Sequence, residues 1–186
     1  MKKIKKHVIL VPFAEGFEES EAIIAVDLMR RAEAEVIMAG CSALEVKSAR
    51  NVKVLCDTLL SDVNAEKLTG VVLPGGIPGT TNLMKDTILR NIIIDLDRQN
   101  LLVGAVCAAP TVLYAAGILA GRKVTSHPSV AKEFSGCLYS EDRVVCDGNV
   151  ITSRGVGTSV EFALALVENL TDKDRATAIA KAIVCQ

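Results

Sequence analysis

The sequence predicts an α/β sandwich, with a mostly parallel sheet and helices on both of its faces. Two observations predict this class. Short apolar runs alternate along the chain with longer segments whose apolar residues recur at helical spacing. The apolar runs are continuous, which is typical of parallel strands that are covered on both faces. Parallel strands joined through helices take right-handed crossovers, and these place helices on both sides of the sheet.

The first part of the chain predicts three strands and one helix. HVILVPF, over residues 7–13, is a continuous apolar run and predicts the first buried strand. Residues 17–32 have helical spacing, and their acidic first turn and basic last turn complement the helix dipole. AEVIMAG, over 34–40, predicts the next strand, and VKVLCD, over 52–57, predicts a short one.

The middle of the chain predicts two strands that alternate with two helices. TGVVLPGG, over 69–76, predicts a buried strand that ends in a Pro-Gly-Gly turn. Residues 81–99 repeat apolar side chains at helical spacing and predict one helix. LLVGAVC, over 101–107, predicts a strand. PTVLYAAGIL, over 110–119, predicts a helix whose proline lies in the first turn, where the missing N–H costs nothing.

The next segment predicts a strand and a hairpin. KVTSHP, over 123–128, predicts a strand that leads into a turn at its proline. RVVCDGNVITSR, over 143–154, predicts two antiparallel strands, because Asp147-Gly148 between two apolar runs is a strong signal for a two-residue hairpin turn.

Two helices complete the predicted fold. Residues 158–170 have helical spacing and begin with Thr158 or Ser159 as the predicted N-cap. Glu161 follows at the position where a capping box has its acidic partner. A last helix is predicted over 172–184.

Length and composition indicate one globular domain. The chain has 186 residues, of which 50% are hydrophobic, so it has enough apolar surface for a sizeable core. Since no boundary or internal repeat divides it, we expect residues 1–186 to form a single domain. The basic start MKKIKK is expected to be a solvated leader and not a signal peptide, because the apolar run behind it is short and continues into AEGFEESE.

Charge and hydropathy exclude two classes of partner. The chain has 21 basic and 22 acidic side chains, and both signs are mixed along it. This balance argues against electrostatic binding to nucleic acid or to an acidic membrane. No segment reaches the roughly 18 uninterrupted apolar residues that a membrane span needs. We therefore expect a soluble protein.

The cysteine and histidine content argues against disulfides and metal. The 6 cysteines are scattered without CxxC spacing, and a domain of this size needs no disulfides, so we expect free thiols in a reducing cytoplasm. Neither of the 2 histidines, His7 and His127, has a second ligand at metal-site spacing. The Gly-rich stretch RGVGTS lacks the lysine and the spacing of a phosphate loop, so no nucleotide cofactor is expected.

Cys107 lies where a buried strand turns directly into a helix. Gly104, Ala105, Ala108 and Ala109 around it are small, as a tight strand–nucleophile–helix elbow requires. The helix start is expected to lower the pKa of the thiol through its positive dipole end and its unpaired N–H groups. The alternative is a small hydrophobic residue that fills the core, as most buried cysteines do. The sequence of this segment leaves both interpretations open.

Two further features are expected near Cys107. Gly75 and Gly76 end the strand that is expected to neighbour the Cys107 strand, and the Gly76 and Ala108 N–H groups would then hold an oxyanion. The alternative is an ordinary tight turn. Glu21 begins the apolar stretch AIIAV, so it is expected to point inward, and burial beside a thiolate would raise its pKa.

The other charged candidates have both a functional and a structural interpretation. Most of the acidic run around Glu21 is expected to be solvated. His127 is either a general acid/base or a strand-end histidine that bonds to the backbone. Arg31, Arg50 and Arg154 either bind anions near the pocket, line an interface, or are surface charges.

Five segments together resemble the ThiJ/PfpI superfamily, specifically its parkinsonism-associated deglycase branch. They are EESEAIIAVDLMRRA, VVLPGG, AVCAAPTVL, KVTSHP and TSRGVGTSVEFALALVE, and the resemblance covers nearly the whole chain. It implies a flavodoxin-like three-layer α/β/α sandwich, like that of class I glutamine amidotransferases, and a homodimer. It also implies that Cys107 is the reactive cysteine, Glu21 the acid that hydrogen-bonds it, and His127 the nearby histidine. Gly76 and Ala108 correspond to the backbone oxyanion donors of the family.

The resemblance implies a glutathione-independent glyoxalase and protein deglycase. Such an enzyme converts small dicarbonyls such as methylglyoxal, or early glycation adducts, into 2-hydroxy acids without metal or nucleotide. Ala109 departs from the branch, which commonly has glycine there, and its methyl group is expected to narrow the pocket. Related peptidases have histidine directly after the cysteine, where this chain has Ala108, so peptidase activity is not expected. The competing hypothesis is a non-enzymatic oxidative-stress sensor or redox-regulated chaperone that acts through oxidation of Cys107 to a sulfinate.

Overall fold

The part of the chain that the structure describes has eleven strands, most of them short. The computed structural model describes residues 7–185, so the predicted solvated leader MKKIKK lies outside the described residues. In chain order the strands are β1 (Val8–Phe13), β2 (Glu35–Gly40), β3 (Glu45–Lys47), β4 (Lys53–Leu55), β5 (Thr58–Leu59), β6 (Gly70–Leu73), β7 (Leu102–Val106), β8 (Lys123–Val124), β9 (Leu138–Tyr139), β10 (Val144–Asp147) and β11 (Val150–Ser153).

Within residues 7–185, six α-helices connect or cover these strands. They are α1 (Glu19–Arg31), α2 (Gly79–Lys85), α3 (Thr87–Arg98), α4 (Pro110–Ala115), α5 (Ser159–Leu170) and α6 (Lys173–Ala182). The acidic first turn and basic last turn of α1, which the sequence predicts, are present. Asp172 caps α6 by accepting a hydrogen bond from the Arg175 backbone N–H at 2.8 Å.

Seven strands form the central sheet in the order β10-β11-β7-β6-β1-β2-β5. All neighbouring strands in it are parallel except β10 and β11, which form the predicted antiparallel hairpin. The parallel strands β2-β1-β6-β7-β11 follow the flavodoxin-like order 2-1-3-4-5. The predicted flavodoxin-like α/β fold is therefore confirmed.

Helices cover both faces of this sheet, because the strands are apolar on both. On one face α2, α3 and α4 pack against strand residues such as Leu10, Val71 and Val103. On the other face α1 and α5 pack against Ile9 and Val11. The helix α6 lies outside this layer and packs on α1 and α5. Burial of each such aliphatic side chain stabilises the fold by about 1.5–3 kcal/mol.

The prediction of one continuous helix over 81–99 is wrong, because two helices, α2 and α3, occupy this region. The first ends at Lys85, and Asp86 takes an extended backbone with φ −79° and ψ 112°. Its carboxylate accepts a hydrogen bond from the Leu89 backbone N–H at 3.0 Å and so begins the second helix. The apolar repeat runs through both helices, which is why periodicity alone does not separate them.

Three other predicted segments are shorter than the patterns indicate. The strand predicted over 52–57 is only β4, and it pairs with β3 in a separate two-stranded sheet. The strand predicted over 123–128 is only β8, which pairs with β9 in another. The helix predicted over 110–119 ends at Ala115, since Gly117 takes φ 81° and breaks the helical backbone.

The capping box predicted at the start of α5 is absent. Thr158 is the N-cap residue, as predicted, but its side chain makes no capping hydrogen bond to the helix. Glu161 instead accepts a hydrogen bond from the Arg143 guanidinium at 2.6 Å. A charged partner from another part of the chain has replaced the local backbone contact.

Two further expectations concern disulfide bonds and membrane-spanning segments. All 6 cysteines of the chain are free thiols in the structure. Across residues 7–185, every helix is too short or too polar to pass through a lipid bilayer.

Candidate active site

The candidate site lies where β6 and β7 end side by side. These strands are parallel, with Leu73 opposite Ala105, so the turns that follow them meet at the same edge of the sheet. Cys107 directly follows β7 and has φ 63°, a left-handed conformation that costs a non-glycine residue roughly 1–3 kcal/mol. Two backbone hydrogen bonds hold it there: its N–H donates to the Ser153 carbonyl at 3.0 Å, and its carbonyl accepts from the His127 N–H at 2.8 Å. The predicted elbow is present.

Gly75 allows the two strand ends to approach closely. A Cβ atom at this position would lie 2.5 Å from the Cys107 Cβ and 2.6 Å from Glu21 Oε2. Neither distance is possible between non-bonded atoms. The glycine after β6 is therefore required for Glu21 and Cys107 to lie side by side, and an ordinary tight turn does not account for it.

Glu21 projects from the first turn of α1 into the site, as predicted. Its side chain is 1% exposed. Oε2 accepts a hydrogen bond from the Gly75 backbone N–H at 2.9 Å. Oε1 is buried and has no hydrogen-bond partner, and the carboxyl lies close enough to the Cys107 thiol for each group to shift the pKa of the other. The structure thus brings together the carboxyl and the thiol that the sequence singles out.

The environment of Glu21 favours its neutral form. The pKa of the carboxyl is raised from 4.5 to about 7. Burial is the largest cause, and the negative charge of Glu18 is the second. The hydrogen bonds from Gly75 and Cys107 act in the opposite direction but are weaker. The predicted direction is confirmed. A carboxyl with this pKa exchanges protons readily near neutral pH.

The expectation of a lowered pKa for the Cys107 thiol is wrong. Burial, followed by the charge of Glu21 and its hydrogen bond, raises this pKa from 9.0 to about 12. The Ala108 and Gly76 backbone N–H groups bond to the sulfur and lower the pKa, but they do not outweigh the other causes. When Glu21 holds a proton, it can donate that proton toward the sulfur and its charge no longer opposes a thiolate. The two groups therefore compete for a shared proton.

Gly76 and Ala108 are the backbone groups that act on the Cys107 sulfur. Their N–H groups lie close enough to it to lower the pKa of the thiol. A carbonyl group bound to that sulfur would place its oxygen close to the same two donors. A role of the pair in stabilising a developing negative charge stays a prediction.

His127 lies beside the same two residues. A Cβ atom placed on Gly155 would lie 3.6 Å from His127 Cδ2, 3.7 Å from Glu21 Oε1 and 3.9 Å from Cys107 Sγ. The three side chains therefore surround one point next to Gly155. The His127 side chain is exposed, and its Nδ1 accepts a hydrogen bond from the Ser129 backbone N–H at 3.2 Å. His127 thus bonds to the backbone, as the structural interpretation expects. It also lies at the site, as a general acid/base would have to.

An open cavity of about 830 Å³ gives solvent access to Cys107, Glu21 and His127. Of the three candidate arginines, Arg50 and Arg154 line it. Arg31 instead pairs with Asp27 at 2.8 Å on the surface of α1.

The expectation that Ala109 narrows the pocket is wrong. Its side chain is fully buried in the apolar core under α2, α3 and α4, and it is not part of the cavity lining. The residue after Ala108 has already turned away from the cavity and toward the sheet. The methyl group therefore adds to core packing on the opposite face of the elbow.

Sequence reasoning misses several residues that line the cavity, among them Glu18 and Gly155. Glu18 belongs to the acidic run that is expected to be solvated, yet it lines the cavity and its Oε2 accepts a hydrogen bond from the Glu21 backbone N–H at 2.7 Å. The signal is its position at the N-cap of α1, although glutamate is not a preferred residue there. Gly155 is the other, and its only signal is the glycine within RGVGTS.

A family model described as the DJ-1/PfpI family matches residues 7–169. The chain belongs to the DJ-1/PfpI family. Protein dj-1beta of Drosophila melanogaster is 41% identical over 178 residues, which cover 94% of this chain and 95% of that protein. The crystal structure of Drosophila melanogaster DJ-1beta aligns with a TM-score of 0.94 at 39% identity, over 98% of this chain and 100% of that chain. Membership of the ThiJ/PfpI superfamily, which the sequence motifs predict, is confirmed.

Two other members of the DJ-1/PfpI family bear on function. The glutathione-independent glyoxalase DJR-1.2 of Caenorhabditis elegans is 37% identical over 179 residues, which cover 95% of each protein. A structure of Toxoplasma gondii DJ-1 described as oxidized has a TM-score of 0.92 at 34% identity, over 96% of this chain and 98% of that one.

Proposed function

We propose that this DJ-1/PfpI protein is a glutathione-independent glyoxalase that depends on Cys107. It converts methylglyoxal-type dicarbonyls into 2-hydroxy acids, and the same site acts as a deglycase on early glycation adducts. The observation that carries this proposal is the Glu21 carboxyl, which is buried side by side with Cys107 and has its pKa raised to about 7. The proposal is also supported by the glyoxalase name of the Caenorhabditis elegans relative.

The first step is the addition of the Cys107 thiol to the aldehyde carbon of the substrate. The carbon–sulfur bond forms, the carbonyl π bond breaks, and the thiol proton is transferred to the oxygen, which gives a hemithioacetal. Negative charge develops on that oxygen during the attack. The Gly76 and Ala108 N–H groups, which lie close to the sulfur, stabilise this charge. His127 assists from the open side of the cavity.

The second step is a proton transfer between the two neighbouring carbons. The Glu21 carboxylate removes the proton from the carbon bound to sulfur, which gives an enediol, and returns a proton to the adjacent carbon. The first carbon is thereby oxidised to a thioester and the second is reduced to an alcohol, so no external oxidant is needed. Water then hydrolyses the thioester, which releases the 2-hydroxy acid and restores the thiol. The steps consume no glutathione, metal or nucleotide.

Lactate formation tests this proposal. Fully reduced protein is incubated with methylglyoxal without glutathione, and lactate is measured over time. We expect catalytic turnover by the wild type and its loss in both Cys107→Ala and Glu21→Gln. The matched control is Cys146→Ala, which removes an exposed thiol outside the cavity and should turn over like the wild type. A wild type that forms no more lactate than Cys107→Ala would contradict the proposal for this substrate.

A second candidate function is oxidative-stress sensing, either alone or as a redox-regulated chaperone. Cys107 is partly exposed at the cavity. When Glu21 holds the shared proton its charge no longer opposes a thiolate, and two equivalents of peroxide would oxidise that thiolate through a sulfenate to a sulfinate. The protonated Glu21 would donate a hydrogen bond to the new oxygens. The oxidised Toxoplasma gondii relative supports this candidate. Mass spectrometry after mild peroxide treatment tests it, because two added oxygens should appear on Cys107 before any other cysteine. Peptidase activity is not proposed, since Ala108 occupies the position of the histidine in related peptidases.

We further propose that residues 1–186 act as a single domain, within a homodimer located in the cytoplasm. The basis is the family resemblance, together with the free thiols that a reducing compartment would maintain. Light scattering on the purified full chain tests the dimer, which should have twice the 19.7 kDa mass of one chain. A mass equal to one chain at micromolar concentration would contradict it.

A further inference from the structure

The ring of His127 is hydrogen-bonded to Ser129, two residues further along the chain. Nδ1 lies 2.8 Å from the Ser129 hydroxyl oxygen and 3.2 Å from the Ser129 backbone nitrogen. Both donors reach the same ring nitrogen from one residue. The imidazole thereby caps the 3₁₀ turn Pro128–Glu133, and its orientation is tied to the backbone.

These contacts determine which ring nitrogen carries the proton. A backbone N–H can only donate, so Nδ1 must accept and must have a free lone pair. In the neutral imidazole the proton then lies on Nε2. The Ser129 hydroxyl is free to rotate and can donate its own proton to the same lone pair. Both donors therefore favour the same tautomer.

The same contacts leave Nε2 as the ring nitrogen that is available to a molecule bound in the cavity. Nδ1 is occupied by Ser129, while the Cδ2 edge of the ring lies beside Gly155, next to Glu21 and Cys107. Nε2 is bonded to Cδ2, and His127 lines the cavity. The nitrogen available to a bound substrate is thus a hydrogen-bond donor and not a base. The backbone of His127 is also fixed to the Cys107 carbonyl at 2.8 Å.

We propose that Ser129 is a positioning residue that holds His127 as the Nε2–H tautomer, so that the neutral imidazole donates a hydrogen bond to the substrate oxygen. The catalytic consequence rests on the proposed glyoxalase function. In that reaction the hydrogen bond strengthens as the oxygen becomes negative, which lowers the barrier. Proton transfer is left to Glu21. The tautomer itself does not depend on any activity.

Nitrogen NMR tests the tautomer directly. The chain has only 2 histidines, so His7→Gln leaves His127 as the single imidazole in a uniformly ¹⁵N-labelled protein. In mildly alkaline buffer, long-range ¹H–¹⁵N spectra show which nitrogen of the neutral ring is protonated. We expect the proton on Nε2 and the lone pair on Nδ1. A proton on Nδ1 would overturn the proposal.

Two substitutions at Ser129 test the positioning role. Ser129→Ala removes the hydroxyl donor, and Ser129→Thr retains it. The Nδ1 resonance should move in the alanine variant and stay in place in the threonine variant. An unmoved resonance in Ser129→Ala would contradict the hydroxyl contact.

Turnover of methylglyoxal supplies the second measurement. We expect kcat to fall roughly 2- to 12-fold in Ser129→Ala, which corresponds to the net value of one hydrogen bond, with KM little changed. Ser129→Thr should restore kcat. Equal kcat values in the alanine variant and the wild type would overturn the catalytic consequence. If the wild type forms no lactate, the proposed function fails, and the nitrogen spectra still decide whether Ser129 sets the tautomer.

Discussion

The buried Glu21 carboxyl predicts a specific dependence of stability on pH. In the unfolded chain this carboxyl ionises as the pH passes about 4.5, whereas in the folded protein it keeps its proton until about 7. Between these values the unfolded state releases a proton that the folded state retains. The free energy of unfolding therefore falls as the pH rises through this window, and it stays lower above pH 7. Well below pH 4.5 the carboxyl is protonated in both states, so it no longer makes the free energy of unfolding depend on pH.

The size of the effect follows from the difference between the two pKa values. Each unit of pKa difference corresponds to about 1.4 kcal/mol, so a rise from 4.5 to about 7 corresponds to about 3 kcal/mol when fully developed. Between pH 5 and pH 8 the expected loss is about 2.5 kcal/mol, because part of the effect has already developed at pH 5. Glu21→Gln keeps a neutral side chain of nearly the same shape and cannot ionise. It should therefore lack this loss.

Urea denaturation at pH 5 and pH 8 measures the effect. The quantity compared is the change in unfolding free energy between the two pH values, for the wild type and for Glu21→Gln. Glu66→Gln is the control, because Glu66 is exposed and lies outside the cavity, and it should behave like the wild type. Parallel pH dependence of the wild type and Glu21→Gln would refute the reasoning, because Glu21 would then ionise equally in the folded and unfolded states.

Three further substitutions have defined outcomes. Glu18→Gln removes the charge that helps raise the pKa of Glu21, so the pH at which turnover reaches half its maximum should move lower, and an unchanged pH profile would contradict this role. Gly75→Ala places a methyl group 2.5 Å from the Cys107 Cβ, so kcat should fall by about 100-fold or more; near-normal kcat would show that the elbow has room. Asp86→Ala removes the N-cap of α3 and should lower the unfolding free energy by about 1 kcal/mol with turnover unchanged, whereas unaltered urea denaturation would mean that the cap is not needed.

The main elements of the fold are predictable because each carries its own local signal. Continuous apolar runs mark β1, β6 and β7, and Asp147-Gly148 marks the hairpin of β10 and β11. The strands β3 and β5 have three and two residues, which is too short for any period to appear. The break at Asp86 is missed because the apolar repeat continues through it. A side-chain cap decided the boundary there, and hydrophobic periodicity does not report caps.

The site is predictable where backbone geometry restricts the residue types. Small residues around Cys107 indicate the elbow, and the apolar stretch after Glu21 indicates that this carboxyl is buried. The pKa of the thiol is not predictable from its own segment, because its main causes are burial and a carboxyl from α1. Glu18 is missed for a similar reason, since nothing in the acidic run separates a cavity residue from a solvated one. Contacts between distant segments decide both the pKa of the thiol and the position of Glu18 at the cavity.

The central claim is that Cys107 and Glu21 perform different steps on the same substrate, and detection of the adduct on Cys107 tests it most directly. Wild type and Glu21→Gln are mixed with methylglyoxal and analysed at once by native mass spectrometry, without a reducing step, for an added mass on Cys107. Without the Glu21 carboxylate the hemithioacetal should form but not proceed, so the adduct on Cys107 should accumulate in Glu21→Gln while lactate does not appear. Lactate formation by Glu21→Gln at the wild-type rate, with no accumulated adduct, would contradict the claim.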